Sequence, residues 1–191
     1  MQTRNSQAVN HDTLYGPVSD DIWQLCKAIK LVVFDVDGVF SDGSIYLGNS
    51  GEEFKAFNTK DGYGVKALAS IGIETAVITG RSSKIVEDRM RSLQVKHLIQ
   101  GQEDKHSALQ QLMQSLGYTT AQTASMGDDM PDTGMFAHSS LKVAVQDAHP
   151  AVIMQANLVT RQGGGKGAVR ELCDLLLQVN GKLHLQHGAS V

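Results

Sequence analysis

The residue types and spacings capable of chemistry lie in a few short segments. Asp35-Val36-Asp37-Gly38 follows the apolar run Leu31-Val32-Val33-Phe34, and Gly127-Asp128-Asp129, with Asp132 close behind, follows Thr123 to Met126. Carboxylates brought together repel one another and raise each other's pKa, so a cluster built from these segments calls for a cation. All-oxygen ligation suits Mg²⁺, which takes one or two carboxylates with waters and phosphate oxygens. Each Asp-Gly pair taken alone is also an ordinary turn. An EF-hand is excluded, because counting from Asp35 puts Phe40 where the loop requires glycine and Tyr46 at its last ligand position.

The elements that must position these groups follow from periodicity. Helical spacing predicts helices over Asp20–Lys30, Tyr63–Ile71, Ser82–Leu93, Glu103–Leu116, Met130–Ala137, Ala148–Met154 and Gly167–Val179. Short apolar runs predict strands over Leu31–Phe34, Ile73–Thr79, Val95–Ile99, Thr123–Met126, Leu141–Val145 and Asn157–Thr160. Ser44 to Phe57, turning at Asn49-Ser50-Gly51, reads as a hairpin. Strands alternating with amphipathic helices imply an α/β fold: a Rossmann-like parallel sheet with helices on both faces, plus the protruding hairpin. In such sheets ligands bind beyond the carboxyl ends of the strands, where these carboxylates sit.

Composition bounds the rest. At 191 residues the chain makes one domain. Residues 1–19 read as a loose arm, 20–180 as the folded domain and 181–191 as a polar tail. The net charge of −3 carries no basic stripe, which argues against nucleic acid or an anionic membrane as partner. No apolar run approaches the length of a membrane span, no signal pattern opens the chain, and Cys26 and Cys173 have no disulfide or CxxC spacing, so a cytoplasmic protein is expected. The seven histidines show no ligand spacing and predict no zinc site. Nineteen glycines against three prolines cluster beside charged residues, notably at Gly163-Gly164-Gly165-Lys166-Gly167, which lacks the Ser/Thr and preceding strand of a Walker A loop and reads as a lid or intersubunit latch.

Taken in order, Asp35-x-Asp37-Gly38, Ile78-Thr79-Gly80-Arg81, Lys105 and Gly127-Asp128-Asp129-x-x-Asp132 resemble the four motifs of haloacid dehalogenase-like phosphohydrolases. The resemblance implies Asp35 as the nucleophile and Asp37 as general acid and base. It also implies Mg²⁺ held by the Asp35 carboxylate, the Asp37 carbonyl and Asp128, with Thr79 and Lys105 on phosphoryl oxygens. Asp129 is expected to orient Lys105 or the metal shell, and Asp132 to be a helix-turn residue. Asp at position 37, where transport ATPases carry Thr, favours a phosphatase. Only 42 residues separate Asp37 from Thr79 and 23 separate Lys105 from Asp128, so no cap domain fits.

Within that superfamily the chain is similar to the capless 3-deoxy-D-manno-octulosonate 8-phosphate phosphatases over roughly residues 20–180. The match rests on Asp35 to Gly43, Gly51 to Asn58, Lys60 to Gly64, Ile78 to Arg81, Val86 to Arg89 and Gly163 to Glu171. The family is tetrameric, its hairpins forming a shared barrel and a glycine-rich tail reaching a neighbouring site. The resemblance implies that Asn58, Thr59, Lys60, Asp61 and Gly62 line the sugar site, with Lys66, Arg81 and Arg89 facing the sugar-acid carboxylate or phosphate. Lys60 and Lys166 stand where relatives carry Arg, which removes bidentate geometry at both positions. The expected activity is release of phosphate from a sugar-acid phosphate in lipopolysaccharide precursor synthesis. A nonulosonate phosphate as substrate, or a phospho-receiver module, is the alternative.

Overall fold

The computed structural model describes residues 9–183. Its frame is a six-stranded parallel sheet made of β3 (Leu31–Phe34), β6 (Glu74–Ile78), β7 (His97–Ile99), β8 (Thr123–Gly127), β9 (Leu141–Ala144) and β10 (Leu158–Val159), in the order β10-β9-β8-β3-β6-β7. Two antiparallel pairs stand outside it: β1 (Asn10–His11) with β2 (Val18–Ser19), and β4 (Tyr46–Leu47) with β5 (Glu53–Phe54). The helices are α1 (Asp20–Ala28), α2 (Thr59–Ser70), α3 (Lys84–Ser92), α4 (Lys105–Leu116), α5 (Thr133–Phe136), α6 (Pro150–Ile153) and α7 (Ala168–Val179).

Strand β3 is buried at all four positions, as expected of a strand covered on both faces. Its side chains alternate: Val32 and Phe34 enter the larger core with α2 and α7, whereas Leu31 and Val33 enter the smaller one beneath Ala108, Leu109 and Met113 of α4. Register places Phe34 beside Val77 of β6 and Met126 of β8. Asp35 comes next, level with Ile78 and Gly127, and Thr79 and Asp128 follow one residue further along their strands. Runs of apolar residues thereby bring three functional residues to one carboxyl edge, within one residue of the same level, on strands about 4.8 Å apart. The segment between Asp37 and Thr79 holds the hairpin and α2, and that between Lys105 and Asp128 holds α4, so neither carries a cap.

Several expectations are corrected. Residues 10–19 are not loose: β1 pairs with β2, the Tyr15 hydroxyl donates to Asp174 of α7 at 3.0 Å, and Ser19 caps α1. Residues 1–8 and 184–191 lie outside the described residues, and with them most of the expected arm and tail. The hairpin ladder is two residues long on each side rather than spanning Ser44 to Phe57. Helix α2 starts four residues earlier than its apolar spacing predicts, because the Asn58 side chain accepts from Lys60 N at 3.0 Å and caps it. Thr59 to Gly62, expected to line the sugar site, are its first turn.

The glycine-rich segment is likewise no free latch. Gly163 and Gly164 are buried, Gly165 N donates to Val39 O at 2.9 Å, and Gly164 N donates to Asp147 Oδ1 at 2.8 Å. A Cβ on Gly164 would overlap the Gly38 carbonyl, so only glycine lets this strap lie against the Asp35–Ser41 loop of its own chain. Glu171 of α7 accepts from Arg161 N and Gln162 N at 3.0 Å each and holds the strap's upstream end.

Candidate active site

Asp35 continues the ladder of β3, its N–H donating to Met126 O at 3.1 Å, and its side chain is almost wholly buried. Lys105, in the first turn of α4 behind the Asp104 N-cap, donates through Nζ to Asp35 Oδ1 at 2.7 Å and to Asp132 Oδ1 at 2.6 Å. The remaining oxygen of Asp132 accepts from the backbone of Asp128 at 2.8 Å and of Asp129 at 3.2 Å. Asp132 is therefore the residue that fixes Lys105 and shapes the turn after β8. The role expected of Asp129 is corrected: its carboxylate accepts from Met130 N at 2.8 Å and caps the short 3₁₀ turn there. The i, i+4 placement of Asp132 behind Asp128 was the usable signal for this difference.

Burial and like charge set the electrostatics. Burial, then Asp132, pushes the Asp35 carboxyl up to about 6 against the opposing pull of Lys105. Burial followed by Asp132, Asp35 and Asp129 pushes Asp128 up to about 8. Oxygens of Asp35, Asp128 and Asp132 lie within 4.8 Å of one another. One lysine against this acidic crowd leaves excess negative charge in a poorly solvated place, and that donor set fits a hard divalent cation such as Mg²⁺. With Asp132 committed to Lys105 and two backbone amides, Asp35 and Asp128 are the carboxylates left to hold it. Gly38 makes room: its φ is +85°, and a Cβ there would overlap the Asp128 carboxylate.

Asp35, Asp37, Thr79, Gly80, Arg81, Lys105, Asp128, Asp129 and Asp132 all line one open cleft of about 540 Å³. Asp37 is half-buried at its rim, where Ser41 Oγ donates to Oδ1 at 3.4 Å. Two residues that sequence reasoning missed meet it there: Lys55 of the hairpin pairs with Asp37 Oδ1, and Glu53 stands 3.7 Å from Lys55 Nζ. Their alternation around Phe54 was the available signal, since it puts both on one strand face.

The structure does not bring the other expected sugar-site residues to this cleft within one chain. Asn58 caps α2 and donates to Gly165 O at 3.4 Å, and Thr59 and Lys60 are exposed on that helix's first turn. Asp61 is fully buried and accepts from Arg170 N at 2.8 Å; burial pushes its carboxyl up to about 6. Gly62 is packed so closely on Arg89 that a Cβ would crowd its guanidinium. Lys66 is half-buried on α2, and Arg89, half-buried, faces Asp61 and stacks 6.0 Å from the Phe57 ring.

A buried aspartate and lysine at the ends of the central strands of a Rossmann-like sheet, with an acidic pair on the neighbouring strand, is the arrangement of a haloacid dehalogenase-like hydrolase. The model of the haloacid dehalogenase-like hydrolases matches residues 97–172. A Yersinia pestis 3-deoxy-D-manno-octulosonate 8-phosphate phosphatase is 50% identical over 180 residues, 94% of this chain and 96% of that protein. The crystal structure of the Yersinia pestis enzyme superposes with a TM-score of 0.94 at 49% identity, covering 97% of this chain and all of that one. That of the Moraxella catarrhalis phosphatase, in complex with magnesium ion, phosphate ion and a KDO molecule, superposes at 0.85 with 40% identity over 87% of this chain and 95% of that one. The chain belongs to the 3-deoxy-D-manno-octulosonate 8-phosphate phosphatase family of haloacid dehalogenase-like hydrolases.

Proposed function

We propose that this protein is a Mg²⁺-dependent phosphomonoesterase that converts 3-deoxy-D-manno-octulosonate 8-phosphate to the free sugar acid and phosphate, in lipopolysaccharide precursor synthesis. The observation that carries the reading is the convergence of Asp35, Lys105, Asp132 and Asp128 on the open cleft.

Asp35 attacks phosphorus. Lys105 holds its Oδ1, which leaves Oδ2 as the nucleophilic atom, and its charge favours the ionised carboxylate against the burial that disfavours it. An ammonium has three protons; two go to Asp35 and Asp132, and the third remains for a phosphoryl oxygen alongside the Thr79 hydroxyl. Asp37 gives a proton to the departing alcohol oxygen and later takes one from the water that hydrolyses the Asp35 acyl phosphate. Mg²⁺, held by the Asp35 and Asp128 carboxylates and the Asp37 carbonyl, supplies charge neutralisation between the anionic nucleophile and the anionic phosphate. Arg81, half-exposed at the rim, suits the substrate carboxylate.

The sugar site is completed in a homotetramer. In support, Tyr46, Leu47 and Phe54 leave the short hairpin 59%, 75% and 61% exposed, an apolar surface suited to association with other hairpins. Thr59, Lys60 and Lys66 then serve a neighbouring site from the first turns of α2, while Asp61, Gly62 and Arg89 serve the fold. Placement in the cytoplasm agrees with two free, buried cysteines and with the absence, among the described residues, of any helix long and apolar enough to cross a membrane. A phosphate-release panel of sugar-acid phosphates with and without Mg²⁺ tests the function. Turnover of the eight-carbon ester is expected; preference for a nine-carbon ester would reassign the substrate, and a lasting Asp35 phosphate without turnover would point to a receiver module.

A further inference from the structure

On the return strand of the hairpin, Phe54 is exposed while the Lys55 side chain is wholly buried. A lysine gives up its hydration only where anions replace it. Lys55 Nζ is ion-paired with Asp37 Oδ1 and lies 3.7 Å from Glu53 Oε1. Ser41 Oγ adds a 3.4 Å bond to the same Asp37 oxygen, and Ser83 Oγ holds Glu53 Oε1 at 3.2 Å. Arg81 stands further off, its Nε 3.9 Å from Asp37 Oδ2 and its Nη2 3.8 Å from Glu53 Oε2. The two oxygens of Asp37, a residue of the cleft wall, are thus unequal: Oδ1 is held by two donors, and Oδ2 has only a cation beyond hydrogen-bond distance.

We propose that Lys55 is a positioning residue for the acid–base group: by fixing Oδ1 it sets the Asp37 rotamer so that Oδ2 carries the proton to the leaving oxygen, and Glu53 holds Lys55 in place from the hairpin. The inference rests on the phosphatase reading above. It follows that the hairpin tunes the chemical step in its own chain.

Proton delivery matters in proportion to how poor the leaving group is, so the test compares esters. kcat/KM, which ends at departure of the alcohol, is measured with Mg²⁺ on 3-deoxy-D-manno-octulosonate 8-phosphate, on a neutral sugar phosphate and on p-nitrophenyl phosphate. Lys55→Met should lower it about 30-fold or more on both alkyl esters, part of the roughly 100-fold or larger contribution of a positioned acid, and less than about 5-fold on the aryl ester. Lys55→Arg should recover much of the loss.

Equal loss on all three esters, or loss on none, overturns the proposal. Loss confined to the sugar-acid ester also overturns it, because Lys55 would then act through substrate recognition. Should Lys55→Met lack a cooperative melt, Lys55→Gln, which is uncharged and one atom too short to reach Asp37 Oδ1 in the same way, is read in the same assay with the same ester-dependent loss expected. Failure of the wild-type chain to release phosphate from any of the esters would refute the phosphatase reading itself, a distinct result.

Discussion

Two clusters of buried charge in this molecule use the same residue types and do different work. At the ends of β3 and β8, Asp35, Asp128 and Asp132 crowd around Lys105 and border an open cleft. Between α2 and α7, Asp61 and Asp174 are met by Arg89 and Arg170: Asp61 accepts from Arg170 N at 2.8 Å, Arg170 Nε donates to Asp174 at 2.7 Å, and the Arg170 guanidinium sits 4.7 Å from the Tyr63 ring. Burial raises carboxyl pKa values in both, to about 8 at Asp128 and about 6 at Asp61. The difference lies in charge balance and access. The first cluster has more acids than bases and a mouth; the second balances two acids with two arginines, Asp174 ion-paired with Arg170 and Asp61 lying in the field of Arg89, and turns them inward. Perturbed titration alone therefore does not mark a site, whereas perturbation by like charge beside a cavity does.

The sharpest way to break the contrast is at the nucleophile. Asp35→Asn keeps the shape and the Lys105–Asp132 pair, and should cost about 10⁴-fold or more in phosphate release with an unchanged cooperative melt. Residual activity near wild type would move the nucleophile elsewhere.

The charge imbalance makes a prediction about pH. For Asp128 and Asp35 the folded pKa lies above the unfolded value near 4, so the folded state binds protons more tightly than the unfolded one. Stability of the metal-free protein is then fullest below about pH 4 as far as these groups are concerned, and falls as pH rises towards about 8. Added Mg²⁺ should restore it, raising Tm by about 5 °C more at pH 8 than at pH 5. Asp128→Asn should abolish that difference and raise the metal-free Tm; an unchanged Mg²⁺ response in the variant would remove Asp128 from the metal site.

In the inward cluster the effects should be on stability. Asp61→Ala removes the acceptor for Arg170 N and leaves Arg89 facing no acid, and should destabilise by about 1–3 kcal/mol, or several degrees in Tm. Turnover per folded molecule should stay within about threefold of wild type; a kcat/KM collapse with normal stability would return Asp61 to the sugar site. The smallest effect is expected at the periphery of the same cluster. Tyr15→Phe deletes the 3.0 Å bond to Asp174 and should cost about 1 kcal/mol with unchanged kinetics, read by denaturant melts.

How far the sequence carries can be judged residue by residue. The placement of Asp35, Thr79 and Asp128 at one edge was legible, because apolar runs of strand length end at each of them and parallel strands share a carboxyl edge. The start of α2 was not: an asparagine cap overrode the apolar spacing by four residues. Nor was the strap legible, since a run of glycines states permissiveness without naming the surface it approaches.

What the amino-acid sequence determined by itself is the local periodicity: which stretches become buried strands, which become helices, where glycine and aspartate end them, and hence which charged groups reach the catalytic edge. Only the tertiary structure decided the partners. Lys105 meets Asp35 across 70 residues of chain, Asp61 meets Arg170 across 109, and Lys55 meets Asp37 by the folding back of the hairpin. Periodicity sets the face a side chain occupies on its own element. Which of two similar charge clusters opens on solvent is set by how distant elements pack, and no local pattern encodes that.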